Sequence, residues 1–435
     1  MEVVSIILAA GKGKRMNSDL PKPMHKIAGK SLMNWLEDSL DELKVSKKIY
    51  VLGHQSEKLI KFIGAANYVI QEPQLGTGHA VNLTKDKIKN HESIIIIAYA
   101  DTPFVPSDKI KKMISQIKNG YDISILGFVA SNPKGYGRVV KKGNEVIKIV
   151  EEVDIDKETK KINLCNSGIL AGRACDIYNY LNKVKKSSNG EYFLTDIISI
   201  CVKDGSKVGL ISSSEEDLIG INDREDLSKA ELIIQNRLRT QHMKNGVTML
   251  DPRSVYIDAS SKIQKDVTIE PNVFIGANVE IQSKTIIKSF SYLEDCFIGR
   301  NCSIGPFARV RPETEILESV KIGNFVEIKK SKINDNSKVN HLTYIGDTTI
   351  GTSSNIGAGT ITCNFDGEQK HKTNIGNHVF IGSNVALVAP INIKDNSIVG
   401  AGSTLTKDVE ENLIAVERSK QKQFKKRKKL NLKKI

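Results

Sequence analysis

Along the first half of the chain, apolar runs rich in Ile and Val alternate with segments whose apolar residues recur every three to four positions. The runs "VVSIILA", "KKIYVLG", "NYVIQ", "SIIIIAYA" and "DISILGFVA" predict strands buried on both faces. Between them, "SLMNWLEDSLDELK" and "SDKIKKMISQIKN" predict amphipathic helices. This alternation predicts an α/β domain over 1–222 with a mostly parallel, doubly wound sheet, whose ligand lies at the carboxyl ends of the strands. From Asp223 to Asn245 the chain lacks Gly and Pro and stops at Asn245-Gly246, which predicts one long linker helix over 223–246. Beyond it the period becomes six. Isoleucines stand at 257, 263, 269, 275, 281 and 287, and aliphatic residues hold the same spacing from Ile298 to Ile328 and from Ile375 to Leu405. A helix of 3.6 residues per turn cannot sustain that spacing. A parallel β-helix with three short faces per coil can, so hexapeptide repeats are expected over 247–418. The register breaks near 289–297 and at "CNFDGEQKHKTN", where a loop is expected to bulge from the solenoid.

Composition narrows the function classes. No apolar stretch reaches the roughly 20 residues of a membrane span, and the charge order at the N-terminus is not that of a secretory signal. The six cysteines (165, 175, 201, 296, 302, 363) form no C-x-x-C pair, as expected for reduced thiols in a cytoplasmic protein. The net charge of +14 invites a nucleic-acid partner, but nine of the Lys and Arg residues lie in the basic tail 419–435, leaving +5 for the rest. Such a run reads as a solvated tail, and no nucleic-acid motif accompanies it.

The candidate chemistry of the first half begins at the end of its first strand, in "LAAGKGKRM". The spacing fits neither the P-loop nor the dinucleotide fingerprint. What remains is a glycine turn whose amides can approach an anion, with Lys12 and Arg15 for charge; a plain surface turn reads equally well. Lys22 follows between two prolines, which fix its backbone. Asp101 ends the most apolar strand, where a carboxylate must be exposed or bound to a cation; Mg²⁺ on a nucleotide is the obvious one.

The segments "LPKPMHKIAGKSL", "QLGTGHA", "YADTP", "GYGRVV", "IVEE", "NSGIL" and "EYFLTDII" resemble those of sugar-nucleotide pyrophosphorylases. Joined to a hexapeptide β-helix, the chain resembles, from about residue 3 to 418, the bacterial bifunctional N-acetylglucosamine-1-phosphate uridyltransferase/glucosamine-1-phosphate N-acetyltransferase family. The resemblance implies a Rossmann-like nucleotidyltransferase domain and a left-handed β-helix acetyltransferase domain. It implies that Leu8, Ala9, Ala10, Gly11, Lys22, Gln71, Gly76 and Thr77 bind UTP, with Arg15 and Lys22 on its phosphates. Asp101 and Asn222 would hold Mg²⁺, and Gly137, Glu151, Asn166 and Asn222 the sugar. Two residues depart from the family: Ala100 replaces the usual Gly before the metal aspartate, and Lys14 a usual Thr or Ser.

In the second half, "RPE", "GNFVEIKKSKI", "HLTYIGD" and "NIGAGTITCNFDG" resemble the family's acetyltransferase site. A lone histidine is usually structural, but this resemblance implies that His341 is the general base removing a proton from the amine of glucosamine 1-phosphate. Arg311, Lys329, Tyr344, Asn355 and Lys370 would hold the sugar phosphate, and Ala358, Asn364, Phe365, Ser383, Ala401 and Arg418 acetyl-CoA. Phe365 replaces a usual Tyr, losing one hydroxyl. The family also implies a homotrimer with sites shared between subunits, and a product, UDP-N-acetylglucosamine, that feeds peptidoglycan and lipopolysaccharide synthesis. A pyrophosphorylase with a merely structural β-helix, such as the ADP-glucose and mannose-1-phosphate enzymes, would not need His341, Lys329 and the 355–367 loop. A non-enzymatic scaffold would not need Arg15, Lys22, Asp101 and Asn222 together.

Overall fold

The computed structural model describes residues 2–64, 67–187 and 190–425, so residues 426–435 of the expected basic tail lie outside the described residues. The chain divides into two compact units, 1–234 and 235–435.

The first unit is built on a sheet in the order Val208–Ser212, Ile123–Val129, Leu164–Arg173, Ile94–Tyr99, Val3–Ala9, Lys47–Leu52, Asn67–Ile70. Its apolar runs are continuous because both faces are covered: Val4, Ile6 and Leu8 enter one core cluster while Ile7 and Ala9 enter the other. Helices Leu32–Asp41 and Ser107–Lys118 bury Leu36, Leu40, Ile110 and Met113 against one face. Helices Ala174–Leu181 and Asp196–Lys203 bury Ile177, Ile197 and Ile198 against the other. As expected of a mostly parallel sheet, the strands of this order run parallel except Leu164–Arg173, which runs antiparallel to both neighbours. Its opening Leu-Cys-Asn-Ser-Gly interrupts the apolar run by which the other strands were legible.

Pairing of Leu8 with Tyr99 sends two loops from the same edge of the sheet, one carrying the glycine turn and the other Asp101. A hydrogen bond from Ile221 N to Asp101 O (2.9 Å) then brings Asn222 to that edge. The helix that follows spans Arg224–Lys244, and the division between the units falls inside it. In the first unit, Glu231 Oε2 accepts from the Ala28 amide at 2.8 Å. In the second, buried Gln235 exchanges two hydrogen bonds with the backbone of Ile257.

The second unit contains three parallel sheets of ten, nine and eight strands. Successive coils stack Ile257 on Ile275 and Leu293, and most of the short strands send an aliphatic side chain inward to a single core cluster. The ideal coil has 18 residues, as from Ile304 to Ile322. Near the expected break the coil shortens to 17, Ile281 pairing with Ile298. The spacing shortens again where Ile316 pairs with Ile333 and Ile333 with Ile350, a second shortening that the six-residue pattern did not expose. Ile350 pairs with Ile375, and the extra residues of that coil leave the solenoid between strands Ile361–Cys363 and Thr373–Ile375. Corners turn through left-handed residues. Asn suits that conformation at 272, 301 and 336, but Phe290, Phe307, Phe325 and Leu342 also adopt it.

Candidate active sites

The first site grows from the glycine turn. Gly13 turns the chain at φ +57°, and a Cβ there would lie 3.1 Å from the Lys22 side chain, so the glycine lets the lysine close over the turn. A cavity of about 180 Å³ is lined by Leu8, Ala9, Gly11, Arg15, Lys22, Asp101 and Asn222, together with the two departures Lys14 and Ala100. Lys22 Nζ donates to Asp101 Oδ2 at 2.5 Å and to Asn222 Oδ1 at 3.2 Å, and Arg15 Nη2 donates to the same Asn222 oxygen at 3.0 Å. A larger cavity of about 1000 Å³ shares Leu8, Gly11 and Asp101 with it and adds Ala10, Gln71, Gly76 and Thr77. Gln71 is buried, and its amide nitrogen is spent on Gly76 O at 2.8 Å and on His79 Nδ1 at 3.2 Å. Its carbonyl oxygen is therefore the group it can offer a ligand. Gly76 cannot be replaced cheaply, since it sits at φ +98° with Tyr192 O only 2.6 Å from where a Cβ would be.

The expected sugar residues also gather. Asn166 N donates to Gly137 O at 2.9 Å, and a Cβ on Gly137 would lie 3.5 Å from Glu151 Oε2. Burial raises the Glu151 carboxyl above the usual carboxylate range, opposed by a 2.6 Å hydrogen bond from Thr195 Oγ1. Tyr99 lines the larger cavity: its hydroxyl meets Thr77, and burial first, then the charges of Glu151 and Asp101, hold its pKa up. Sequence reasoning missed Tyr99, Thr195 and Gln74, whose Nε2 donates to Ala10 O at 2.6 Å. They hold the site through contacts distant in sequence, although all three lie within the segments that resemble the pyrophosphorylases.

The second unit presents two groups of residues on different corners of the solenoid. On one, His341 ends strand Lys338–His341, directly below Asn324 of the preceding coil. His341 Nδ1 and Asn324 Oδ1 lie 2.7 Å apart. An amide oxygen only accepts, so Nδ1 carries the proton and Nε2 is left as the basic atom. Asn324 was not singled out in the sequence, because only coil stacking puts it beside a residue 17 positions away. The same corner continues through Ala358, Ser383 and Ala401: Gly359 N reaches His341 O, Asn384 N reaches Ala358 O, and Gly402 N reaches Ser383 O at 2.8 Å. A Cβ on Gly402 would stand 3.8 Å from Arg418, so the expected acetyl-CoA residues other than Asn364 and Phe365 form one edge. Asn355 begins the strand after that of His341 on the same sheet.

On the next corner Lys329 pairs in register with Gly346. The nearby ammonium of Lys370, more than any other group, and then Arg311, push the Lys329 pKa down. Cations crowded in this way await an anion. Arg311 is held by Glu327 at 2.8 Å. Tyr344 and Asn364 both crowd Gly346, where a Cβ would meet the Tyr344 hydroxyl at 2.5 Å and Asn364 Nδ2 at 2.7 Å. The loop that delivers Lys370 is braced by a bridge between exposed Phe365 and Lys370 and by Asp366. The Asp366 carboxyl is held well below its usual range by the Gln369 amide first, then by His371, 2.6 Å away.

Comparison with known proteins covers both units. Residues 5–162 match the MobA-like NTP transferase domain. Residues 295–330 and 372–407 match the bacterial transferase hexapeptide repeat, and 266–286 the hexapeptide repeat of succinyl-transferase. Over 440 residues the chain is 42% identical to the bifunctional protein GlmU of Caldanaerobacter subterraneus subsp. tengcongensis, covering 97% of this chain and 96% of that protein. It is 46% identical over 426 residues to that of Parvibaculum lavamentivorans, covering 96% of this chain and 93% of the other.

Proposed function

The chain belongs to the family of bifunctional GlmU proteins, and we propose that it makes UDP-N-acetylglucosamine in two steps at two separate sites. The second unit acetylates glucosamine 1-phosphate; the first transfers uridylyl from UTP to the product and releases pyrophosphate. The observation that carries this reading is the pair of constellations on one chain: Arg15, Lys22, Asp101 and Asn222 around one cavity, and His341 with a free Nε2 on the solenoid.

In the acetyl transfer, His341 Nε2 takes a proton from the substrate ammonium, and the amine attacks the thioester carbonyl of acetyl-CoA. The tetrahedral intermediate collapses by breaking the C–S bond, its nitrogen releases a second proton to solvent, and the proton on His341 passes to the leaving thiolate. Lys329, Lys370 and Arg311 hold the phosphate. A single chain separates them from His341 by five residues of corner and strand, on the order of 10–15 Å at about 3.3 Å per residue. The amine and phosphate of one sugar are closer than that. A homotrimer in which one copy's His341 corner faces the next copy's lysine corner resolves the mismatch. The exposed stack of Phe290, Phe307 and Phe325 on the His341 side supplies an apolar seam for it.

In the uridylyl transfer, an oxygen of N-acetylglucosamine 1-phosphate attacks the α-phosphorus of UTP in line as the bond to pyrophosphate breaks. Arg15 and Lys22 hold the phosphate charge, and the Gln71 carbonyl accepts the N3–H that uracil has and cytosine lacks. Asp101 and Asn222 would hold Mg²⁺: they are hard oxygen donors already gathered around one cation, the Lys22 ammonium. When bound, the ion supplies neutralisation of triphosphate charge. We place the enzyme in the cytoplasm, where UTP and acetyl-CoA are at hand; among the described residues no helix is long and apolar enough to cross a membrane, and all six thiols are free. The test is to assay the purified chain for thiol release from acetyl-CoA plus glucosamine 1-phosphate, and for pyrophosphate release from UTP plus N-acetylglucosamine 1-phosphate. Both are expected; absence of either removes that half.

A further inference from the structure

The two oxygens assigned to the metal are not free in the folded chain. The Lys22 ammonium lies 2.5 Å from Asp101 Oδ2 and 3.2 Å from Asn222 Oδ1, and the Arg15 guanidinium shares the Asn222 oxygen. The phosphate-binding cations and the metal-binding oxygens therefore occupy each other. The arrangement is not a loose surface pair: only 13% of the Lys22 side chain is exposed, and Pro21 and Pro23 fix the backbone from which it reaches. Among the described residues no cluster of three or more His, Cys, Asp or Glu side chains offers a metal site of its own. A divalent ion at Asp101 thus has three protein oxygens at most from this pair, and the ammonium occupies two of them, Asp101 Oδ2 and Asn222 Oδ1.

We propose that Lys22 is a tethered counter-ion that closes the Asp101–Asn222 pair to divalent cations until a nucleoside triphosphate arrives. A divalent ion and an ammonium repel each other at one carboxylate, so one must leave for the other to bind. The phosphates are the groups that draw Lys22 and Arg15 away, and the same move frees the oxygens. Lys22 is then a positioning residue in two states, on Asp101 before the triphosphate binds and on the phosphates afterwards. Metal and nucleotide binding are coupled through it, each strengthening the other.

This inference rests on the assignment of Asp101 and Asn222 as metal groups, and the test separates the two. Mn²⁺ binding to the full chain without nucleotide is followed by electron paramagnetic resonance for the wild type, Lys22→Met, and Lys22→Met combined with Asp101→Asn. Lys22→Met is expected to bind Mn²⁺ at least tenfold more tightly than wild type, and Asp101→Asn to erase that gain. Equal, Asp101-dependent Mn²⁺ binding by wild type and Lys22→Met overturns the counter-ion role alone. A gain that survives Asp101→Asn puts the cation elsewhere and overturns the metal assignment with it. The unmodified protein gives a second readout that needs no variant. Mn²⁺ alone is expected to leave its Tm unchanged, whereas Mn²⁺ with UTP raises it more than UTP does. A rise with Mn²⁺ alone as large as the rise with both overturns the proposal.

Discussion

Two histidines show how the immediate surroundings set what an imidazole does. His341 Nδ1 donates to Asn324 Oδ1 at 2.7 Å, which leaves Nε2 available for the role of base proposed for it. Asn324→Asp puts a carboxylate beside the ring, favours the imidazolium and raises the pH at which the base becomes neutral. The acidic limb of the acetyl-transfer pH profile is expected to move upward, while Asn324→Leu lowers kcat about tenfold without moving Lys329-dependent substrate binding. His25 works in the opposite sense. It is buried, its Nδ1 faces Arg224 Nη1 at 3.3 Å, and burial first, then the Arg224 charge, lower its pKa below 6.5. Well above pH 6.5 it is neutral folded or unfolded and contributes no slope. Below that, the unfolded chain binds a proton that the folded chain refuses, so stability falls as pH drops. His25→Gln is expected to reduce the loss of urea-unfolding stability between pH 7.5 and 5.5; an unchanged loss assigns it to other groups.

At the scale of elements, backbone geometry decides which turns carry function. Gly76 and Gly205 both have positive φ, but only Gly76 is enclosed, with Tyr192 O 2.6 Å from a Cβ position, while Gly205 faces open space. Alanine at either position is expected to cost about 1–3 kcal/mol of backbone strain. Gly76→Ala is expected in addition to raise the KM for UTP about tenfold, and Gly205→Ala to leave it unchanged, as measured by pyrophosphate release. The elements themselves were legible wherever burial is uniform. Val3–Ala9 and Ile94–Tyr99 are apolar because both faces are covered, and the six-residue period follows from one inward side chain per solenoid face. The antiparallel strand Leu164–Arg173 was not legible, since its first half lines the site region and carries polar residues. The residues of both sites that carry charge were found by motif. Their supports were not: Asn324 meets His341 across a coil, Thr195 meets Glu151 across 44 residues, and neither spacing leaves a periodic mark.

For the whole molecule, the most instructive feature is a cost left visible on the surface. Phe290, Phe307 and Phe325 adopt left-handed backbone that bulky side chains disfavour, and remain 53%, 45% and 54% exposed, with ring centroids 4.9 and 5.1 Å apart. Neither the strain nor the exposure stabilises an isolated solenoid, whereas both are offset if a second copy covers the ladder. Asn tolerates the conformation better, so Phe307→Asn is expected to leave the fold intact yet shift the proposed homotrimer toward monomer by light scattering. Acetyl transfer should fall at least tenfold with it, and pyrophosphate release should hold. A Phe307→Asn protein that stays trimeric and active would place the seam elsewhere.

The central claim is that one chain carries two independent transferase sites, and reciprocal inactivation tests it most directly. His341→Ala and Asp101→Ala are assayed side by side for thiol release from acetyl-CoA and for pyrophosphate release from UTP. His341→Ala is expected to lose roughly 10²–10⁴-fold in the first reaction, the usual worth of a positioned general base, and to keep the second. Asp101→Ala is expected to do the reverse. A His341→Ala chain that still transfers acetyl at the wild-type rate, or an Asp101→Ala chain that still releases pyrophosphate at that rate, would contradict the account.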